Sequence, residues 1–259
     1  MNAAGLLEWY ERVKRPLPWR DTRDPYALLV SEVMLQQTQA ARVVPYYEAF
    51  LERFPDARAL AEAAPGEVLA AWSGLGYNRR ALALQRAARH VAEHGWPADL
   101  TELPGVGAYT AAAVGSFAWD RQVAAVDTNV RRVLARHDGV ERTPRELAAR
   151  TAALVPAGRA AAFNQAMMEL GATVCRPRRP ECGACPVSRG CRGGTLPERP
   201  RRRERFEDTD RWARGRIVAA LVAGEPPPVL EPARRERAEA GLIRDGLAVR
   251  GPSGELRLP

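Results

Sequence analysis

Lysine is almost absent from this sequence. Lys14 is the only lysine, although lysine and arginine together number 39 among the 259 residues. Arginine stays protonated, so chemistry that needs a neutral amine as nucleophile has almost no candidate side chain here.

Long apolar runs and targeting signals are missing as well. No apolar stretch approaches the roughly 20 residues that a membrane-spanning helix needs. The first residues carry Glu8 and Glu11 and no small-residue cleavage site. We therefore expect no secretory signal, no membrane contact and a cytoplasmic location.

Acidic residues are too few to balance the basic ones. The net charge is +8 and the isoelectric point is about 9.9. A basic excess of this size suits a polyanionic partner, and nucleic acid comes first. On charge alone, the alternative that arginine is merely abundant stays open.

Strand-like alternation is absent from most of the chain, whereas alanine and leucine recur at helical spacing. This pattern predicts an all-α fold. Helices are predicted over Tyr26–Thr38, Ala57–Ala63, Gly66–Trp72, Arg79–His94, Ala108–Ala118, Asn129–Arg136, Arg145–Leu154 and Ala161–Thr173.

The C-terminal part has a different character. Residues 196–205 (LPERPRRRER) are rich in proline and arginine and predict an extended linker. Residues 206–259 then predict a small winged-helix-like module. Its expected elements are two helices, Arg214–Ala223 and Ala238–Asp245, and a hairpin from Leu247–Arg250 and Glu255–Leu258.

All four cysteines lie in one short segment. They are Cys175, Cys182, Cys185 and Cys191, spaced C-x6-C-x2-C-x5-C. Four thiolates in a short loop can hold a zinc ion or an iron–sulfur cluster, and disulfides are disfavoured in a reducing cytoplasm. Zinc sites usually pair two short knuckles, and here only Cys182 and Cys185 form one. The pattern predicts a metal site.

The cysteine segment is also basic. Arg176, Arg178 and Arg179 lie between the first two cysteines, held by Pro177 and Pro180. They form either a solvated basic loop or a loop whose arginines bind DNA phosphates. We favour the second interpretation because the cysteine pattern lies in the same segment.

The stretch Leu103-Pro104-Gly105-Val106-Gly107 predicts a tight turn directly before a helix. Backbone N–H groups at such a helix start can point at a phosphate. Two glycines in a turn are common, whereas LPGVG followed by a helix of small residues is more specific.

Two carboxyl groups are candidates for chemistry. Asp127 begins the segment VDTNVRRV, where a helix start favours an ionised carboxylate, and a plain N-cap is the alternative. Glu32, in SEVMLQQTQ, lies on a largely apolar helix face. Burial raises the pKa of a Glu carboxyl, which is what a general acid needs.

These motifs together resemble the MutY-type adenine DNA glycosylases of the helix-hairpin-helix superfamily. The resemblance covers roughly residues 6 to 195 and includes three further blocks: LPWR from Leu17, WSGLGY from Trp72 and FNQAMMELGA from Phe163. It implies a helix-hairpin-helix glycosylase fold in which the four cysteines bind a [4Fe-4S] cluster. It also implies a cluster domain (1–24 and 136–195) and a helical-barrel domain (25–135).

The resemblance further assigns roles to single residues. Glu32 would protonate adenine, which is a poor leaving group until it is protonated, and Asp127 would stabilise the cationic sugar. Supporting and DNA-contacting roles would fall to other residues. Tyr109 and Asn129 would support the two carboxylates; Trp19, Arg20, Leu35 and Glu169 would line the adenine pocket; Gln37 and Tyr77 would wedge into the duplex; Gly105, Val106 and Gly107 would bind a phosphate. Core packing is the alternative for Trp19 and Tyr77.

The same resemblance predicts the outcome of the reaction. Bifunctional relatives carry a lysine at the position of Tyr109, so a monofunctional enzyme is expected. The resemblance also implies a monomer that acts on double-stranded DNA with adenine mispairs. Residues 206–259 are too few for the β-rich domain with which longer members read 8-oxoguanine. Preference for 8-oxoguanine over guanine opposite the adenine is therefore expected to be reduced.

Two other functions compete with this interpretation. A thymine or uracil mismatch glycosylase of the same fold would suit Asp127 and Tyr109, but Glu32 and the Gln36–Gln37 pair argue against it. A non-enzymatic iron–sulfur DNA-binding protein is the other alternative, and the presence of both Glu32 and Asp127 argues against that one.

Overall fold

The computed structural model of the protein describes residues 1–193 and 205–259. The predicted linker at 196–205 lies, except for Arg205, outside these residues. Within them the architecture is helical, as predicted. The α-helices are α1 (Ala3–Val13), α2 (Pro25–Leu35), α3 (Ala40–Arg53), α4 (Ala57–Glu62), α5 (Pro65–Trp72), α6 (Arg79–His94), α7 (Ala108–Trp119), α8 (Thr128–Asp138), α9 (Pro144–Ala152), α10 (Ala160–Thr173), α11 (Asp210–Ala223) and α12 (Pro232–Arg244).

Four short 3-10 helices and one hairpin complete the described secondary structure. The 3-10 helices are Pro18–Arg20, Leu100–Glu102, Cys182–Ala184 and Phe206–Asp208. Strands β1 (Val249–Arg250) and β2 (Leu256–Arg257) pair antiparallel, with Val249 opposite Arg257. None of the described helices is long and apolar enough to cross a membrane.

The chain divides into two compact units. Unit 1 comprises Met1–Leu28 and the described residues of Val106–Arg199, and unit 2 comprises Leu29–Gly105 and the described residues of Pro200–Pro259. Residues 106–135 thus share a unit with α1 and α10. The division into a cluster domain and a barrel domain stays a prediction.

The core of unit 1 forms where α10 packs against α1, α7 and α8. Its fully buried side chains include Leu6, Leu134, Phe163 and Met167. A smaller apolar cluster joins Leu28 to α7.

Unit 2 has its own core, in which α6 packs against α4 and α5. Phe50 forms edge-to-face contacts with Phe54 and Trp72, at centroid distances of 5.0 and 6.0 Å. Rings offset in this way bury a large apolar area in specific geometry.

Residues 205–259, the C-terminal module, follow the predicted order of two helices and a hairpin. Helix α11 packs against α12 and also against α5. It begins at Asp210, earlier than predicted, because the Thr209 side chain accepts a hydrogen bond from the Trp212 N–H and caps it. Helix α12 begins at Pro232, where Glu231 is the cap.

Candidate active site and DNA interface

Asp127 is the N-cap residue of α8 in unit 1. Its Oδ1 accepts a hydrogen bond from the Val130 N–H at 2.7 Å, and its Oδ2 accepts one from Asn129 Nδ2 at 2.7 Å. Burial raises the pKa of this carboxyl above its ordinary value, and the two hydrogen bonds and the charge of Arg132 oppose the rise. The carboxylate is therefore partly dehydrated, oriented on two sides and able to stabilise a nearby cation.

Arg132 connects Asp127 to the cysteine segment. Its Nη2 donates to Asn129 Oδ1 at 2.7 Å and to the Gly171 carbonyl at 2.6 Å, and its Nε donates to the Cys175 carbonyl at 2.8 Å. A Cβ atom on Gly171 would lie 2.5 Å from the Asn129 Cβ. The amide that holds Asp127 is thus fixed by a guanidinium on one side and by close packing on the other.

Tyr109 lies in the first turn of α7. It is half-buried, its ring packs on the apolar cluster around Phe117, and its hydroxyl donates to Met168 Sδ at 3.8 Å. No lysine stands at this position.

Glu169 is the centre of a buried ion cluster in unit 1. Its side chain has no exposed area, and its carboxylate accepts hydrogen bonds from Arg15 Nε at 2.7 Å and Arg20 Nη2 at 2.5 Å. Burial acts to raise the pKa of Glu169, but the two arginines outweigh it and hold the pKa below its ordinary value. Glu169 therefore fixes Arg20, whose side chain keeps 10% of its area exposed next to the buried Trp19.

The four cysteines follow α10 and have free thiols, two partly buried and two exposed. Burial raises the pKa of Cys185, and each of the other three cysteines adds to the rise, so those three lie within electrostatic range of Cys185. In residues 1–193 and 205–259, no three His, Cys, Asp or Glu side chains form a group that could hold a metal ion.

The donor set nevertheless suits an iron–sulfur cluster in number and kind. Arg136 Nη1 lies 3.5 Å from Cys175 Sγ and donates to the Arg176 carbonyl at 2.7 Å, while its Nη2 donates to the Pro177 carbonyl at 2.5 Å. N–H groups directed at ligand sulfurs are typical surroundings of such clusters.

The basic residues of the cysteine segment are exposed. Arg176 forms an ion pair with Glu181, and Arg178 and Arg179 lie on the surface. The segment can therefore meet a polyanion without rearrangement of its backbone.

The predicted tight turn precedes α7. Gly105 has a φ of +80°, and a Cβ there would lie 2.7 Å from the Ala83 Cβ, so both its backbone and its surroundings require glycine. Gly107 is the N-cap residue of α7 and provides no side-chain cap, and the first turn carries no acidic residue. The N–H groups at this helix start are suited to a phosphate.

Glu32 lies in the middle of α2, within unit 2. It is 5% exposed, and its neighbours Ser31 and Val33 are buried too. The predicted burial of this carboxyl is therefore confirmed. Leu35, the last residue of α2, is half-buried.

Helix α2 ends three residues before the predicted Thr38. Gln37 has a φ of +60°, which a right-handed helix does not allow. Arg80 Nη1 donates to the carbonyls of Val33 and Met34 at 2.7 and 3.2 Å and also to the Gln36 carbonyl. A side chain from α6 thus satisfies the last carbonyls of α2, so the helix can stop there.

Tyr77 shares this unusual conformation, with a φ of +50°. Arg80 Nη2 donates to the carbonyl of the preceding Gly76 at 3.1 Å, and burial lowers the pKa of Arg80 to about 10. Arg80 therefore joins the two turns that carry Gln37 and Tyr77. Non-glycine residues with positive φ cost energy and cluster at functional sites.

Three of the arginines that shape these sites were not singled out by the sequence: Arg15, Arg80 and Arg132. Their partners Glu169, Tyr77 and Asn129 were. Arginine is so frequent in this chain that nothing in the sequence separates a buried arginine from an exposed one.

The comparisons with known proteins agree with this geometry. Residues 30–157 match the family described as HhH-GPD superfamily base excision DNA repair protein. The chain is 42% identical to the adenine DNA glycosylase of Mycolicibacterium smegmatis, and the match covers 100% of this chain and 96% of that protein. It is also 42% identical to the human adenine DNA glycosylase, over 86% of this chain and 43% of that one.

Solved structures show the same fold. A thermostable thymine-DNA glycosylase superposes with a TM-score of 0.68 and 32% identity, covering 73% of this chain and 93% of that one. Endonuclease III in a non-covalent DNA complex superposes with a TM-score of 0.63 and 23% identity, covering 74% and 96%. The predicted glycosylase fold is confirmed.

Proposed function

The chain belongs to the adenine DNA glycosylases of the HhH-GPD superfamily, and we propose that it removes adenine mispaired with 8-oxoguanine or guanine from double-stranded DNA. The observation that carries the proposal is the Asp127 carboxylate, which is partly buried and held by the Val130 N–H and the Asn129 amide. The reaction is hydrolysis of the N-glycosidic bond.

Asp127 stabilises the sugar as the bond to adenine breaks. The departing base leaves positive charge on the sugar, and an oriented carboxylate in a site of low polarity lowers the energy of that cation. The raised pKa of Asp127 reflects the burial that makes this interaction strong.

Glu32 supplies the proton that makes adenine a better leaving group. Its position in the middle of a helix that is buried on all sides suits a carboxyl that gives a proton to the base. Trp19, Arg20 and Leu35 contribute to the adenine pocket, and Glu169 acts there by holding Arg20.

The enzyme is monofunctional. Tyr109 stands where a Schiff-base lysine would be needed, and Lys14 is the only lysine of the chain. The product is an abasic site in an intact strand. The enzyme acts as a monomer.

Several groups bind the DNA. The backbone of Gly105, Val106 and Gly107 binds a phosphate at the start of α7, and the arginines of the cysteine segment bind others. Gln37 and Tyr77 enter the duplex where the adenine leaves, because base flipping needs a filler in the stack.

A [4Fe-4S] cluster bound by Cys175, Cys182, Cys185 and Cys191 would give this segment the rigidity of a metal-centred loop. Arg136 and Arg132 hold the backbone of the segment from the side of α8. Purified protein should contain about four iron atoms and four sulfides per chain, and analysis of both elements tests this.

The function is tested with duplexes that carry one adenine opposite 8-oxoguanine, guanine, cytosine or thymine, and with thymine or uracil opposite guanine. Alkali then cleaves any abasic site. Cleavage at adenine opposite 8-oxoguanine and guanine, lost in Asp127→Asn and Glu32→Gln and kept in the surface control Glu62→Gln, is the expected result. Cleavage only at thymine or uracil would place the enzyme with the mismatch-pyrimidine glycosylases, and strong nicking without alkali would contradict the monofunctional reaction.

A further inference from the structure

An open cleft of about 1230 Å³ lies within unit 2, between the two turns of Gln37 and Tyr77 on one side and α11 on the other. Among the described residues that line it, six are arginines and one, Asp210, is acidic. The lining also includes the exposed rings of Phe206 and Tyr77, which are 49% and 41% accessible. Arg79 and Arg214 form ion pairs with Asp245, and the other arginines keep the lining cationic. A cationic lining with partly exposed aromatic rings suits a nucleic-acid strand, because a base can stack on a ring and a phosphate can meet an arginine.

Arg211 of α11 lies between the two exposed rings. Its guanidinium is 5.0 Å from the centroid of Tyr77 and 4.8 Å from that of Phe206, and its Nη1 donates to the Tyr77 hydroxyl at 2.5 Å. The Arg80 guanidinium also lies 5.2 Å from the Tyr77 centroid, and it lies 5.5 Å from that of Trp72. Rings and guanidinium groups therefore alternate from the core of unit 2 to the C-terminal module.

The C-terminal module is fixed in this position by packing. Helix α11 contacts α5, the helix that ends at Trp72 just before the turn of Tyr77. Near the other end of α5, a Cβ on Gly66 would lie 3.4 Å from the Leu258 Cβ. The module is thus held along α5, and Arg211 reaches Tyr77 from a rigid element.

We propose that the C-terminal module completes a binding site for the DNA strand opposite the excised adenine, with Arg211 as the positioning residue of Tyr77. The inference rests on the proposed function, in which Gln37 and Tyr77 fill the place that the adenine leaves and so face the opposite strand. Arg80 donates to the carbonyls of Gln36 and Gly76, directly before the two residues with positive φ, and Arg211 holds the Tyr77 ring. Phe206 offers a further face on which a base of that strand can stack.

Binding is tested on the full chain with Asp127→Asn as background, so that the adenine stays in the duplex. We compare Arg211→Ala with Arg244→Ala, which removes the same charge from the same module at an exposed position of α12 outside the cleft. Arg211→Ala is expected to weaken binding to an A·8-oxoguanine duplex by about ten-fold or more, and a fully paired duplex by much less. The number of phosphate contacts inferred from the salt dependence of its binding should also fall by about one. Equal affinities of the two variants for the mispair would overturn the proposal.

Two further variants separate a positioning role from a general effect of charge. Arg211→Lys keeps the charge but loses the planar face and the fixed donor, so it should recover the salt dependence and only part of the affinity. If Arg211→Ala does not fold, Arg211→Lys alone decides, and full affinity in it contradicts the proposal. Arg211→Ala and Tyr77→Phe remove the same hydrogen bond, so in a double-mutant cycle their effects on affinity should be non-additive. Additive effects would overturn the positioning role.

Excision by the unaltered chain is measured in parallel. If it cleaves no adenine, the proposed function fails whatever the variants bind. If it cleaves adenine and Arg211→Ala matches Arg244→Ala in both rate and affinity, only the role of the C-terminal module fails.

Discussion

Replacing Gly171 by alanine tests whether close packing of α10 on α8 positions the Asp127 carboxylate. The added Cβ would lie 2.5 Å from the Asn129 Cβ and 3.1 Å from its Cα. Neither atom can move by a side-chain rotation, so α10 and α8 must separate or the first turn of α8 must tilt. Asn129 donates to Asp127 Oδ2, so any such movement displaces the hydrogen bond that orients Asp127.

The size of the effect follows from two opposing terms. Overpacking of this kind costs about 1–3 kcal/mol. Alanine in place of a helical glycine recovers about 0.5–1 kcal/mol. We expect a net loss of about 1–2 kcal/mol in the free energy of unfolding and a fall in Tm of about 2–8 °C. Misplacement of a reacting group by about 1 Å can cost about 100-fold in rate, so excision should slow by about 10- to 100-fold.

Single-turnover excision on an A·8-oxoguanine duplex and thermal unfolding measure the two effects. Gly241→Ala is the matched control, since it also adds a Cβ to a buried helical glycine but meets its nearest neighbour, in Arg214, at an ordinary 3.5 Å. It should keep the excision rate and raise the Tm slightly, because alanine favours the helix and meets no clash there. If Gly171→Ala excises adenine as fast as the unaltered chain with an unchanged Tm, the packing of α10 does not position Asp127.

Three further predictions concern the turn at Gly105, the Asp127 carboxylate and the ion pair of Asp138. Gly105→Ala should weaken duplex binding by about ten-fold or more and lower the Tm, because glycine is required both by a φ of +80° and by a contact of 2.7 Å; binding and melting curves check this. Asn129→Ala removes a hydrogen bond that lowers the pKa of Asp127, so that pKa should rise further and the acid limb of excision should move to higher pH, as single-turnover rates across pH would show. Asp138→Asn should destabilise the protein at neutral pH. The hydrogen bond from Arg150, together with His137 and Arg142, holds the pKa of Asp138 well below its ordinary value. That stabilisation is present above the ordinary pKa of an aspartate and is lost as the pH falls through the lowered one, so urea unfolding should show the two proteins converging in strong acid.

Each of these has an outcome that contradicts it. Gly95→Ala, at a φ of +77° with open space around it, should strain the backbone without affecting DNA binding. Equal losses of binding in Gly95→Ala and Gly105→Ala would show that the turn at Gly105 has no specific role in DNA binding. An acid limb that stays in place in Asn129→Ala would separate Asp127 from the pH dependence. A constant stability difference between Asp138→Asn and the unaltered chain at all pH values would exclude the ion pair as its cause.

Much of the helical architecture could be predicted from local sequence. The eight helices predicted between Tyr26 and Thr173 are all present, because apolar periodicity, N-caps and glycine stops act over a few residues. The same signals predict a helix start at Asp127, and its side chain does cap α8.

Helices α1 and α3 were not predicted. The interior of α3 contains Pro45, which removes a backbone donor and normally argues against a helix. Its buried face, formed by Val43, Tyr47 and Phe50, stabilises it against this cost. In α1 the buried residues are Leu6, Leu7, Trp9 and Tyr10, and they form this helix by packing into the core of unit 1.

The arginines that shape the two candidate sites lay beyond sequence reasoning, because their partners are distant in the chain and are mostly backbone carbonyls. Arg80 donates to the Met34 carbonyl 46 positions away, and Arg132 to the Cys175 carbonyl 43 positions away. A carbonyl carries no residue identity, so no motif records these contacts. The planar guanidinium, with its five donors, can serve several carbonyls at once, whereas a lysine ammonium cannot match that fixed geometry. The near-absence of lysine, which first appeared to bear only on nucleophilic chemistry, therefore also bears on architecture: where Arg80 joins two turns and Arg132 joins α8 to the cysteine segment, a lysine would keep the charge and lose the connection.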